Sequence, residues 1–146
     1  MTPTPATRRS NVAAFGLSAL MLAAGVAHFV VPDRYAAIVP ESLGSARAWV
    51  YGSGVAELVG AALVAHPRTR RVGGWFVAVL LVAVFPANVK MALDGGAPGE
   101  SGMLGNATAA WLRLPLQVPL VLWALHVARV AKTAEAGALT SATHSR

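Results

Sequence analysis

The chain has 146 residues, 55% of them apolar and 12% charged, with a mean hydropathy of +0.57 and a formal net charge of +6. That is one domain with about half the charged fraction of a soluble protein, so lipid is the expected solvent. The absence of cysteine excludes disulfides, thiolate nucleophiles and Cys-ligated metals or clusters. The basic residues crowd beside apolar runs, which argues for membrane orientation and against nucleic-acid binding.

In chain order, residues 1–11 are polar, contain two prolines and Arg8-Arg9, and are expected to form a disordered tail. The first apolar run, about 12–31, is long enough to cross a hydrocarbon core of ~30 Å. A linker, "PDRYAAIVPESLGSAR", follows, with a short interfacial helix expected around Tyr35 to Val39. The second run spans about 48–65. "HPRTRR" is a tight basic turn, and the third run covers about 72–93. A glycine-rich loop, Asp94 to Ala109, leads into the fourth run at about 110–130, and residues 132–146 form a second polar tail expected to be disordered. "NAT" at Asn106 to Thr108 matches a glycosylation sequon and is read as chance in a chain whose basic residues are mostly arginine, a bacterial-looking composition.

These runs predict an all-α fold, a four-helix transmembrane bundle. Arg8, Arg9, Arg68, Arg70, Arg71, Arg129 and Lys132 lie on one side of such a bundle, against Arg34 and Arg47 on the other. The positive-inside rule then places both termini in the cytoplasm, in a bacterial plasma membrane. A cleavable signal peptide is the rival reading of the first run. It is disfavoured because the run exceeds a usual signal core and cleavage would leave three crossings.

Depth along each run brings polar groups to the outer half of the membrane. His28 ends the first run, Tyr51 and Ser53 begin the second with Glu57 near its middle, Pro86, Asn88 and Lys90 end the third, and Arg113 and Gln117 begin the fourth. An acid near the bilayer centre costs on the order of 3 kcal/mol unless paired or protonated. Glu57 is therefore expected to face the bundle interior, sharing a face with Ser53 and Gly60, either as a neutral acid or paired with Arg113. Pro86, Pro115 and Pro119 free the carbonyls of Val82, Trp111 and Pro115, beside which Asn88, Arg113 and Gln117 can donate. Lys90 is expected to snorkel. His28 alone reads as a packed or hydrogen-bonded interface residue, and the four tryptophans, at 49, 75, 111 and 123, read as interfacial anchors. Only His66 and His126 share a depth suitable for two axial haem ligands, and His66 belongs to the basic turn, so no haem site is expected.

"GVAHFVVPDRYAAIVP", "YGSGVAELVGAALV", "VFPANVKMAL" and "RLPLQVPLVLWAL" together resemble the DoxX-like family of small bacterial membrane proteins, over about residues 12–131. The resemblance implies a four-helix membrane bundle and a link to quinone-dependent redox chemistry. It marks His28, Pro32, Tyr35, Pro40, Glu57, Pro86, Asn88, Arg113, Pro115 and Gln117 as positions of interest. Lys90 departs from the uncharged or aromatic residue expected there.

The candidate ligand-binding set is His28, Tyr51, Glu57, Asn88, Arg113 and Gln117, with Glu57 as the candidate proton-handling group and no metal site. The leading expectation is a membrane subunit or accessory of a quinone-linked redox system. It has no intrinsic cofactor, uses quinone as ligand and depends on a redox partner protein for electrons. Whether the chain is itself an enzyme is left open by the sequence. The alternative is a non-catalytic scaffold or assembly factor whose polar groups set helix register. A small-solute or proton pathway would require a homo-oligomer, since four unduplicated helices enclose little space.

Overall fold

The computed structural model describes residues 5–96 and 105–144, with the side chains of residues 8–96 and 105–131. The centre of the expected glycine-rich loop, residues 97–104, lies outside the described residues, as do residues 1–4 and 145–146. Among the described residues five α-helices occur in order: α1 Pro5–Val30, α2 Pro32–Ala36, α3 Ala46–Ala65, α4 Arg70–Leu93 and α5 Ala107–His144, with a 3₁₀ turn at Glu41–Leu43. Among the described residues there is no strand, and four helical stretches are long and apolar enough to cross a membrane: Arg8–Val30, Ala46–Ala65, Arg70–Leu93 and Ala107–Ala131.

The helix ends follow local chemistry. α1 begins at Pro5 and α5 continues to His144, so the helices extend through Arg8-Arg9 and beyond residue 131, where tails without structure were expected. Proline suits a first helical position, and the Ala-, Lys-, Glu- and Leu-containing end of α5 is built from good helix formers. Pro32 likewise starts α2, which puts this short helix earlier than expected. Ser45 caps α3 by accepting from the amide of Ala48 at 3.4 Å. Asn106 caps α5 by accepting from the amide of Thr108 at 2.8 Å, which gives the asparagine of "NAT" a structural role. α4 and α5 remain helical through Pro86, Pro115 and Pro119.

α4 with α5 and α1 with α3 make the most extensive contacts, α3 joins the two pairs through α4, and α1 touches α5 more lightly. The shared core is small: Ala14, Leu17 and Met21 of α1, Ala61 and Val64 of α3, Val77, Ala78 and Leu81 of α4, and Ala124 and Val127 of α5. With lipid as solvent, close backbone packing replaces the hydrophobic drive. At Gly74 a Cβ would sit 2.8 Å from both the Ala124 carbonyl oxygen and the Ala128 nitrogen, so only glycine permits that approach of α4 to α5. Large apolar side chains such as Val79, Leu112 and Leu122 point outward, as lipid-facing residues should.

At the end of the bundle holding the α3–α4 turn, Arg70 departs from the expected role of a surface orientation charge. It is 6% exposed. Its Nε donates to the Val64 carbonyl at 3.1 Å, one guanidinium nitrogen to Asn11 Oδ1 at 2.8 Å and the other to the Ala65 carbonyl at 3.3 Å, while Phe15 lies 5.6 Å below the guanidinium. These bonds occupy carbonyls that the last turn of α3 leaves open and tie α1 to the same turn. Thr69 adds a bond from its hydroxyl to the Leu63 carbonyl at 2.8 Å. Trp123 is half-buried and donates from its indole to the Ala13 carbonyl at 3.0 Å, so it fastens α5 to α1 where an interfacial anchor was expected. Arg70→Met is expected to lower stability in detergent by about 2–4 kcal/mol, because it orphans several buried acceptors. Arg68→Met, at an exposed position of the same turn, should stay within ~0.5 kcal/mol, and thermal unfolding of the two variants makes the comparison.

Candidate functional site

At the opposite end, called here the α2 end, α1 and α3 approach closely enough that a Cβ on Gly54 would lie 2.7 Å from the Cβ of His28. The buried stripe of α3 is Val50, Gly54, Glu57, Gly60, Ala61 and Val64, at helical spacings of three and four. Glu57 therefore faces inward as expected. Ser53, expected on the same face, is only half-buried and donates to the Val50 carbonyl of its own helix at 3.0 Å.

The partner of Glu57 is His28. The expected pairing with Arg113 does not form. His28 Nδ1 lies 3.1 Å from Glu57 Oε2 and 2.9 Å from the Ala24 carbonyl oxygen one turn back. Because a carbonyl only accepts, Nδ1 carries the hydrogen. That hydrogen is directed at Ala24, so Glu57 Oε2 sits beside the imidazole while remaining, among the described residues, a buried oxygen without a well-directed hydrogen bond. His28 is 7% and Glu57 9% exposed. His28 is thus packed and hydrogen-bonded near the end of its helix, as expected; its pairing with Glu57 could not be read from its own run, because the approach that brings the two together is made by glycine on another helix.

The short helix α2 covers this pair. The ring of Tyr35 stacks on that of His28 with centroids 3.9 Å apart and an interplanar angle of 20°. Burial raises the phenol's pKa above its ordinary value, with the charge of Glu57 adding to the rise and those of Arg113 and Arg34 opposing it. Tyr35 therefore lies in the field of both Glu57 and Arg113. Ile38, just beyond α2, packs on the cluster of Met91, Ala92 and Ala110, anchoring the segment to α4 and α5.

The remaining polar groups gather on the second helix pair. Asn88 reaches from α4 to α5, its Nδ2 donating to Gln117 Oε1 at 3.0 Å. Gln117 is buried and donates in turn to the Leu81 carbonyl on α4, one residue before the expected free carbonyl of Val82. Arg113, one turn toward the α2 end, is half-buried, and its described hydrogen bond goes to the thioether of Met91 at 3.3 Å. Beside Gln117 an apolar groove of about 310 Å³ opens between α4 and α5, lined by Val82, Phe85, Leu114, Val118, Val121 and Leu122. Lys90 pairs with Asp94 at the end of α4.

The expected residues fall into two separate clusters, His28–Glu57, on which Tyr35 stacks, and Asn88–Gln117, while the described hydrogen bond of Arg113 goes to Met91. Tyr51 does not join them. It is exposed and stacks on Phe29 at 5.6 Å on the outside of the bundle. Tyr35 enters the site, although composition and spacing gave no sign of it and only the family resemblance marked its position. Among the described residues no three His, Asp or Glu side chains converge to hold a metal, and His66 and His126 are exposed.

Four membrane-length helices with a polar cluster at one end define a multi-pass α-helical membrane bundle. The chain belongs to the family described as Domain of unknown function (DUF8561), whose model matches residues 17–128 and so reaches from within the first membrane-length stretch to within the fourth and includes every residue of the clusters. No curated protein and no solved structure matches the chain.

Two outcomes test this geometry. A double-mutant cycle on Asn88→Ala and Gln117→Ala should give a coupling of about 0.6–1.7 kcal/mol, the range for hydrogen bonds between membrane helices. In a Tyr51→Phe background Tyr35 is the remaining tyrosine, and its phenolate absorbance should appear with a midpoint above pH 10.0. The folded state holds that proton more tightly than the unfolded chain does. The stability it lends is complete below pH 10.0, declines above it and is lost once the pH passes the raised value.

Proposed function

We propose that this protein is a membrane subunit or accessory of a quinone-linked redox system in the bacterial plasma membrane, with both termini cytoplasmic. The observation that carries the reading is the buried His28–Glu57 pair at the α2 end, a proton donor and acceptor set side by side within a span that is otherwise apolar. Quinone reduction takes up two electrons and two protons, so a membrane site for it needs proton-handling side chains near the head group. It also needs an apolar wall for the isoprenoid tail. The groove between α4 and α5 supplies that wall, running along α5 from Leu114 toward Leu122. Arg113 precedes the groove residue Leu114 on α5 and is assigned as the donor to a quinone oxygen, while Glu57 and His28 pass protons. The electrons come from a redox partner protein. The resemblance to the DoxX-like family supports the same reading.

A non-catalytic scaffold is the competing reading, favoured by the Asn88–Gln117 bond, which, with the bond from Gln117 to the Leu81 carbonyl, sets the register of α4 on α5. The two are separated by filling the groove. Val118→Trp places a large ring among the groove residues, which His28 and Glu57 do not line. Solvent extraction of the purified native protein should yield bound isoprenoid quinone, and the variant should retain at least about tenfold less, a difference of ~1.4 kcal/mol. Native protein that carries no quinone and binds none when it is supplied would leave the scaffold as the better account.

A further inference from the structure

At the end of the bundle holding the α3–α4 turn, Arg70 spends its charge inside, and the rest of the arginines lie outside. Arg8, Arg9, Arg68, Arg71 and Arg129 are all exposed. Contacts between helices gather them. Arg70 bonds to Asn11, which is one turn along α1 from Arg8. Gly74, one turn along α4 from Arg70 and Arg71, packs against the backbone of Ala124 and Ala128 on α5, next to Arg129. Arg68 stands in the turn that enters α4. Three helix ends and one turn thus bring their arginines to a single end.

That end carries an excess of positive charge. Asp33, Glu41 and Asp94 belong to the α2 end, where Asp33 meets Arg47 and Asp94 meets Lys90, and Glu57 is inside the bundle. Among the described residues Glu135 is the one acid on the arginine side, and it comes after Ala131, where the membrane-length stretch of α5 stops.

Depth identifies the counter-charge. Arg8 opens one membrane-length stretch, Arg70 and Arg71 open another, and Arg129 is in the last turn of a third. These are positions at the level of lipid headgroups. One turn deeper, Val12 follows Arg8 and Trp75 follows Arg71, both turned outward, and the exposed ring of Phe15 lies against Arg70. A guanidinium matches a phosphate with parallel hydrogen bonds, and the apolar side chains beneath it match an acyl chain. A soluble anion or an acidic protein would use the arginines and leave the apolar side chains without contact. A zwitterionic headgroup brings a cation of its own, which the arginines repel.

We infer that the α3–α4 end is a binding surface for anionic phospholipid. Its arginines hold the headgroup phosphate, and Val12, Phe15 and Trp75 lie along the acyl chains. The inference is independent of the quinone reading.

The test titrates the full chain, in non-ionic detergent, with dioleoyl phosphatidylglycerol or dioleoyl phosphatidylcholine and counts bound lipid by native mass spectrometry. Native protein should hold phosphatidylglycerol at least about tenfold more tightly, because several arginines act on one headgroup layer. Arg8→Gln with Arg68→Gln should cut that preference at least about fivefold. Removing two charges at the α2 end instead, with Arg34→Gln and Arg47→Gln, should leave it within about twofold, since separate exposed charges are screened from one another. All four positions are exposed, so both double variants are expected to fold. Equal affinity for the two lipids, or equal losses in the two double variants, would overturn the inference. Tighter binding of inorganic phosphate than of phosphatidylglycerol would also overturn it, in favour of a soluble anion, and tighter binding of poly-glutamate would do so in favour of an acidic protein.

Discussion

A carboxylate buried between membrane helices has to be met by the protein, because lipid offers it nothing. Glu57 has one side-chain answer among the described residues, the imidazole of His28, and that answer depends on α1 and α3 coming closer than side chains normally permit. Gly54 removes the obstacle. The packing of the first helix pair, the burial of the acid and the orientation of the histidine are therefore a single constraint. A methyl group at position 54 would press on the His28 side chain and move the imidazole away from its partner.

The bundle handles its polar groups differently at its two ends. At the α3–α4 turn, Arg70 spends its donors on Val64, Ala65 and Asn11, and the result is closed and structural. At the α2 end the polar groups are incompletely used. Glu57 keeps an oxygen without a well-directed hydrogen bond, and Arg113 rests on a sulfur atom. Between the ends lies a core of alanine, glycine and valine with Leu17, Met21 and Leu81, where packing distance does the stabilising. A bundle that satisfies one end and leaves the other open is organised around the open end.

The segment between α1 and α3 belongs to that end. Its expected place was at the interface, as a linker, yet it works as a cover. Tyr35 stacks on His28, Ile38 reaches the Met91–Ala110 cluster, and the indole of Trp49 bonds to the Leu43 carbonyl at 2.8 Å to hold the return into α3. It brings a phenol ring onto the imidazole that faces the acid of α3, and carries Ile38 to the α4–α5 side of the same end.

The four crossings were readable from run length and hydropathy, because the bilayer imposes a length and an apolar content on each helix independently of its neighbours. The inward turn of Glu57 followed as well, since burying an acid is less costly than exposing it to lipid. The Asn88 and Gln117 pairing was half visible: each amide stood at a depth where it needed a partner, but only the register of α4 on α5 matched them. The rest came from contacts between distant residues. His28 was claimed by Glu57 through a glycine twenty-six positions away from it, Arg70 turned inward to carbonyls of the preceding helix, Trp123 found Ala13, and Tyr51 turned out to lipid. Sequence alone settles which residues lie at which depth, because depth is a local property of a helix in a slab. Which of them face one another depends on rotation and closeness of helices, and those are set by small residues whose effect appears only when the backbones meet.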